Sequence, residues 1–113
     1  MTVTPEQLMQ LEEFQIQPKF VEDRSAMYGG APDEDMRVEL EAHLNEMLGD
    51  LLTGLLETPD QDFVLEKFKD VLFLFENEEP EEQDMLLVYL QRIMEVLEIE
   101  NRDDLLEGYR FDQ

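Results

Sequence analysis

His43 and Ser25 are the single histidine and the single serine of this 113-residue chain, which has no cysteine. Acyl transfer needs a nucleophile within reach of a positioned base. Here an irregular stretch separates the two, and no thiol can stand in. The lack of cysteine also removes disulfides and zinc–thiolate sites. Phosphoryl transfer calls for a Gly-rich loop with a lysine, or for arginine clamps. Tyr28-Gly29-Gly30-Ala31 lacks that pattern. A carboxylate pair can hydrolyse a glycoside, but carboxylates are so abundant here that no pair stands out. Glu39 and His43 lie at i, i+4, whereas ferritin-like metal sites take Glu-x-x-His from two helices plus further carboxylates. No second His exists, and no Asp-x-Asp-x-Asp-Gly calcium loop is present. The six carboxylates between Glu76 and Asp84 read as a solvated acidic turn or a helix N-terminus, where the dipole favours negative charge, and attract divalent cations loosely at most. The residues therefore predict no catalytic group, no metal ligand set and no cofactor.

Charge says more than chemistry. Thirty Asp and Glu stand against eight Lys and Arg, a formal net charge of −22. Direct binding of DNA, RNA or an anionic membrane requires a basic patch, which this balance disfavours. It favours a partner with a basic surface, or no charged partner at all. The hydrophobic fraction of 42% is that of a folded protein, so the acidity does not imply disorder. The length fits one domain. Met1 to Gln10 lacks the basic and apolar segments of a signal peptide, and no apolar stretch approaches the ~18 residues of a membrane span. These features predict a soluble, cytoplasmic protein, and none specifies an oligomeric state.

The elements that must carry this charge are helical. Thr4, with Pro5 at the first helical position and Gln7 three residues on, predicts a capped helix start. Leu8, Leu11 and Phe14 form its apolar edge, and Pro18 closes it. Residues 19–32 read as an irregular connection with at most one short turn. A second helix runs from near Asp33 to about Glu57. On it Met36, Leu40, Leu44, Met47, Leu48, Leu51 and Leu55 fall within an arc of about 120° at ~100° per residue. Thr58-Pro59-Asp60 breaks the chain and caps a third helix over roughly Phe63 to Phe75. Val64, Phe68, Val71, Leu72 and Phe75 share a face there, but Phe63, Phe73 and Leu74 fall elsewhere, which predicts a central helix with several neighbours. A fourth helix spans about Glu81 to Leu97, buried through Leu86, Tyr89, Leu90, Ile93, Met94 and Leu97. Asn101 can cap a short fifth helix to Leu106 or Glu107, with Tyr109 and Phe111 folding back onto the core. The fold class is all-α: a compact bundle of four main helices plus a short C-terminal helix.

On the second helix Glu39, Glu46, Asp50 and Glu57 fall within about 40° of one another. This acidic stripe is the leading candidate for partner binding. Mimicry of DNA by the stripe alone is excluded by magnitude. Its four charges are spaced one per ~9 Å, against one per ~3.4 Å along a DNA strand. Residues 76–113 carry 13 acids against 3 bases and could add to the field. Tyr28, beside Gly29-Gly30, is the second candidate surface; an aromatic there either anchors an interface or plugs the loop onto the core. His43, at the edge of the stripe, either packs its ring on apolar neighbours or acts as a pH-responsive group beside Glu39, Glu46 and Asp50.

Tyr28-Gly29-Gly30-Ala31-Pro32-Asp33 leads into a long helix. Phe63-Val64-Leu65-Glu66-Lys67-Phe68 follows the Pro59 turn. Tyr89-Leu90-Gln91-Arg92-Ile93-Met94 continues to Leu97-Glu98-Ile99-Glu100 and Asp104-Leu105-Leu106. Over nearly the whole chain these segments resemble a family of short bacterial proteins classed as a domain of unknown function. The resemblance implies an all-helical fold in a bacterium and brings no activity, cofactor or catalytic residue with it. The function expected is a non-enzymatic acidic interaction protein, such as a bacterial immunity or inhibitor protein that binds a basic partner. The alternatives are a small-ligand or metal-binding helical module, or a structural domain whose charge serves solubility.

Overall fold

The computed structural model describes residues 1–99. Among them are four α-helices and no strand: α1 (Pro5–Ile16), α2 (Glu34–Glu57), α3 (Gln61–Leu74) and α4 (Pro80–Val96). The fifth helix expected after Asn101, and the return of Tyr109 and Phe111, lie outside the described residues.

Local chemistry sets each start. Thr4 and Gln7 form the reciprocal capping box ahead of α1, and Asp33 and Asp60 cap α2 and α3 through their carboxylates. These side chains satisfy amides that a helix start leaves without partners. α3 opens two residues earlier than its apolar period suggests, because Asp60 sets its start. α4 opens on Pro80, whose missing N–H costs nothing at the first helical position. The Glu76–Asp84 segment is therefore a tight turn running into the N-terminus of α4. Gln83 reaches back from it to the carbonyls of Phe75 and Glu76 and closes the end of α3.

α2 is the central helix. It packs against both α1 and α3, and α1 packs against α4. Leu40, Leu44, Met47, Leu48, Leu51 and Leu55 are all buried along it, with Met36 at the margin of the core. α3 does not take the central place its several apolar sides suggest. Its Val64, Phe68, Val71 and Leu72 are buried, but Phe73 and Leu74 are exposed. The reason is geometric: among the described residues α3 packs against α2, and Phe73 and Leu74 lie off that side.

Two glycines of α2 seat its neighbours. A Cβ on Gly54 would lie 2.1 Å from the Phe63 ring of α3, and one on Gly49 would lie 3.3 Å from the Gln15 amide of α1. The Gln15 amide donates to the carbonyl of Asn45.

The connection between α1 and α2 is irregular but tightly held. A 3₁₀ turn covers Arg24–Ala26, and the backbones of Asp23 and Tyr28 exchange two hydrogen bonds of 2.8 and 2.9 Å across it. Phe20 is fully buried at φ 61°, a region that costs a bulky L-residue about 1–2 kcal/mol. Its N–H donates to the Tyr89 hydroxyl at 2.8 Å, and its carbonyl accepts from Ala31 at 3.0 Å. Its ring meets those of Tyr28, Phe75 and Tyr89.

Candidate functional site

Glu39, Glu46, Asp50 and Glu57 are all exposed on α2. Helical spacing placed them on one line, and the burial of the leucine stripe turns that line toward solvent. Beside it, α2 and α3 enclose an open cleft of about 200 Å³ lined by His43, Glu46, Met47, Asp50, Lys67, Asp70, Val71 and Leu74. Glu46 and Asp50 belong to both the stripe and the cleft, whereas Glu39 and Glu57 lie along α2 on either side of it. α3 contributes a further carboxylate, Asp70, and one cation, Lys67. The Lys67 ammonium lies 3.9 Å from Asp50 Oδ2 and 5.6 Å from the centre of the Phe63 ring. The cleft thus combines carboxylates at its rim with an apolar floor of Met47 and Val71.

His43 lies at the edge of the cleft between Glu39 and Phe75. Its Nε2 is 3.9 Å from Glu39 Oε1, and its ring stands edge-on to Phe75 at 6.3 Å.

Tyr28 is a plug. It is 6% exposed and its hydroxyl donates to Glu82 Oε2 at 2.8 Å. Burial, then that carboxylate, raises its pKa. Of the two arrangements read from the sequence, the ring adopts the one packed on the core. Its neighbour Met27 is 95% exposed. Below the loop, Glu82, Tyr89 and Arg92 of α4 each hold it at one point: Glu82 through Tyr28, Tyr89 through Phe20, and Arg92 through Asp23 at 3.0 Å. Hydrogen bonds from Ser25 and Arg92 lower the Asp23 pKa to about 2. Glu82 is buried, although its place in an acidic run suggested solvent.

Three participants were not legible in the sequence. Asp70 and Lys67 share α3 with many charged residues, and only the crossing of α2 and α3 selects them. Lys19 falls within the irregular segment, yet it is fully buried. Its ammonium donates to the carbonyls of Phe14, Gln15 and Gln17 at the end of α1. Its own N–H donates to Glu41, which also pairs with Arg37. The only sequence signal for Lys19 was its position directly after the Pro18 break.

Among the described residues no group of three or more His, Asp or Glu side chains is arranged to hold a metal ion, and no helix is long and apolar enough to cross a membrane. The family model described as Domain of unknown function (DUF4844) matches residues 2–112. No curated protein matches the chain, and no solved structure does.

Proposed function

This chain belongs to the domain-of-unknown-function family DUF4844, whose description states no activity, and we propose that it is a non-enzymatic interaction protein that binds a basic protein partner through the acidic face of α2 and α3. The observation that carries this reading is the exposed line Glu39, Glu46, Asp50 and Glu57, joined across the cleft by Asp70. Carboxylates on a rigid helix above a packed core form a fixed field that steers an oppositely charged partner. The concrete form is an immunity or inhibitor protein in a bacterial cytoplasm, covering the basic surface of a toxin such as a nuclease. The cleft, at about 200 Å³, is below the ~300 Å³ at which small-molecule pockets begin, which favours a protein partner over a free ligand.

The test has two stages. The wild-type chain and a variant with lysine at Glu39, Glu46, Asp50 and Glu57 are used as baits in lysate of the host cell. The proteins lost from the variant bait are then purified, and their association is timed across a salt series. The on-rate should fall with salt, and by about tenfold on stripe reversal. Reversal at Glu76, Glu79, Glu81 and Asp84, which are also exposed, should slow it less. An on-rate indifferent to both salt and stripe reversal would mean that the charge serves solubility.

A further inference from the structure

The geometry points to the α2/α3 cleft as a pocket for a single arginine or lysine side chain of the partner, flanked on that partner by an apolar residue. This inference rests on the acidic-face reading and sharpens it from a field to a site.

A long cationic side chain has two needs. Its methylene stem gains from lying on apolar surface, and its charged head must stay polar. The cleft supplies both at the right scale. Met47 and Val71 form its floor, Leu74 extends the floor outward with 49% of its surface exposed, and Glu46, Asp50 and Asp70 stand at the rim. The chain already holds one side chain in this manner. Lys67 places its ammonium over the Phe63 ring and 3.9 Å from Asp50. Lys67 lines the cleft beside these carboxylates, with His43 also in the lining, so the Lys67 ammonium competes with an incoming cation.

The apolar surface continues past the rim. Phe73 is 73% exposed and follows Asp70 by three residues, which puts it one turn further along the same side of α3. An exposed aromatic beside a charged cleft is the composition of an interface anchor. A second copy of this chain is a poor occupant, because it would bring a charge of −22 against −22. A cationic partner with an apolar neighbour is complementary on both counts.

The probe is a blocked pentapeptide, acetyl-Gly-Leu-Arg-Leu-Gly-amide, titrated into the isotopically labelled full chain at low ionic strength and followed by amide NMR. Its counterpart carries uncharged citrulline in place of arginine. The arginine peptide should give saturable shifts centred on Met47, Asp50, Asp70, Val71 and Leu74, and the citrulline peptide should lose them. Two pairs of variants separate a pocket from a diffuse field. Lys67→Met and Lys69→Met each remove one positive charge, but only Lys67 lines the cleft; Lys67→Met should tighten binding about threefold and Lys69→Met should barely change it. Asp70→Asn and Leu74→Ser, both at exposed positions, should each weaken binding about threefold. Shifts spread along every acidic helix, with Lys67→Met and Lys69→Met equal, would overturn the pocket. They would leave the basic-partner reading standing, since that reading is decided by the association kinetics. No shift with the arginine peptide would overturn the pocket as well.

Discussion

Lys19 shows how one residue can complete an element to which it does not belong. None of the four helices carries a basic residue in its last turn, although a cation there would offset the negative end of the helix dipole. For α1 the missing charge arrives from beyond the helix. After the Pro18 break the Lys19 side chain folds back, and its ammonium caps three terminal carbonyls. Desolvation pulls its pKa down to about 8 from 10.5, while the Glu41 carboxylate resists. A lysine with a lower pKa in the folded state binds fewer protons when folded. Its burial therefore penalises the fold fully below about pH 8, and the penalty fades as pH rises toward 10.5. Between about pH 7 and pH 9.5, wild type should gain up to ~2 kcal/mol relative to Lys19→Met. Urea denaturation of both proteins at each pH measures this gain. The comparison cancels every other titration, and a constant difference would mean that the carbonyls hold the ammonium charged throughout.

Between elements, two glycines of α2 leave room for side chains of its neighbours. Replacing Gly by Ala inside a helix gains about 1 kcal/mol from propensity alone. At Gly49 the neighbour is the end of the flexible Gln15 side chain, 3.3 Å from the new methyl, so Gly49→Ala should keep most of that gain. At Gly54 the methyl would fall 2.1 Å from the Phe63 ring. The ring, and Lys67 over it, must then move. Gly54→Ala should lose about 1–3 kcal/mol by overpacking. In a Phe63→Ala background the same substitution should become neutral or stabilising. A double-mutant cycle by chemical denaturation checks both statements, and a Gly54→Ala cost that survives loss of the ring would place the constraint elsewhere. The loop between α1 and α2 depends on the same precision of placement, because three points on α4 hold a strained Phe20 in place.

For the molecule as a whole, a net charge of −22 on 113 residues is a standing self-repulsion in the compact state. Salt should relieve it. Raising ionic strength from about 0.02 M to about 0.5 M shortens the screening length several-fold, so the urea midpoint should rise with little change in slope. Converting Glu39, Glu46, Asp50 and Glu57 to their amides should reproduce part of that gain at low salt and little of it at high salt. Glu57 sits in the last turn of α2, where a negative charge also opposes the helix dipole, and should contribute most. A midpoint indifferent to salt would show that the fold already balances these charges. A stripe whose removal stabilises the protein while slowing association is what a surface retained for binding predicts.

The helical class, the caps at Thr4 and Asp60, the buried stripe of α2 and the poverty of reactive groups are legible in the sequence. Those features depend on period and on residues a few positions apart, which a one-dimensional reading can see. It also placed Glu39, Glu46, Asp50 and Glu57 on one face, because that face is the complement of the leucines. Only the tertiary structure decided which charged residues left solvent. Lys19 and Glu82 look solvated by type, and Tyr28 could have pointed either way. Tyr28 and Glu82 are buried because each supplies the other with a hydrogen bond from 54 residues away, and Lys19 because the chain folds back after Pro18 and lays its ammonium on the carbonyls of Phe14, Gln15 and Gln17; these bonds offset desolvation. The cleft belongs to the same class of fact. Asp70 and Lys67 meet Asp50 and Glu46 because Gly54 admits the Phe63 ring and brings α3 close against α2, and a helical wheel reports a period but not a neighbour.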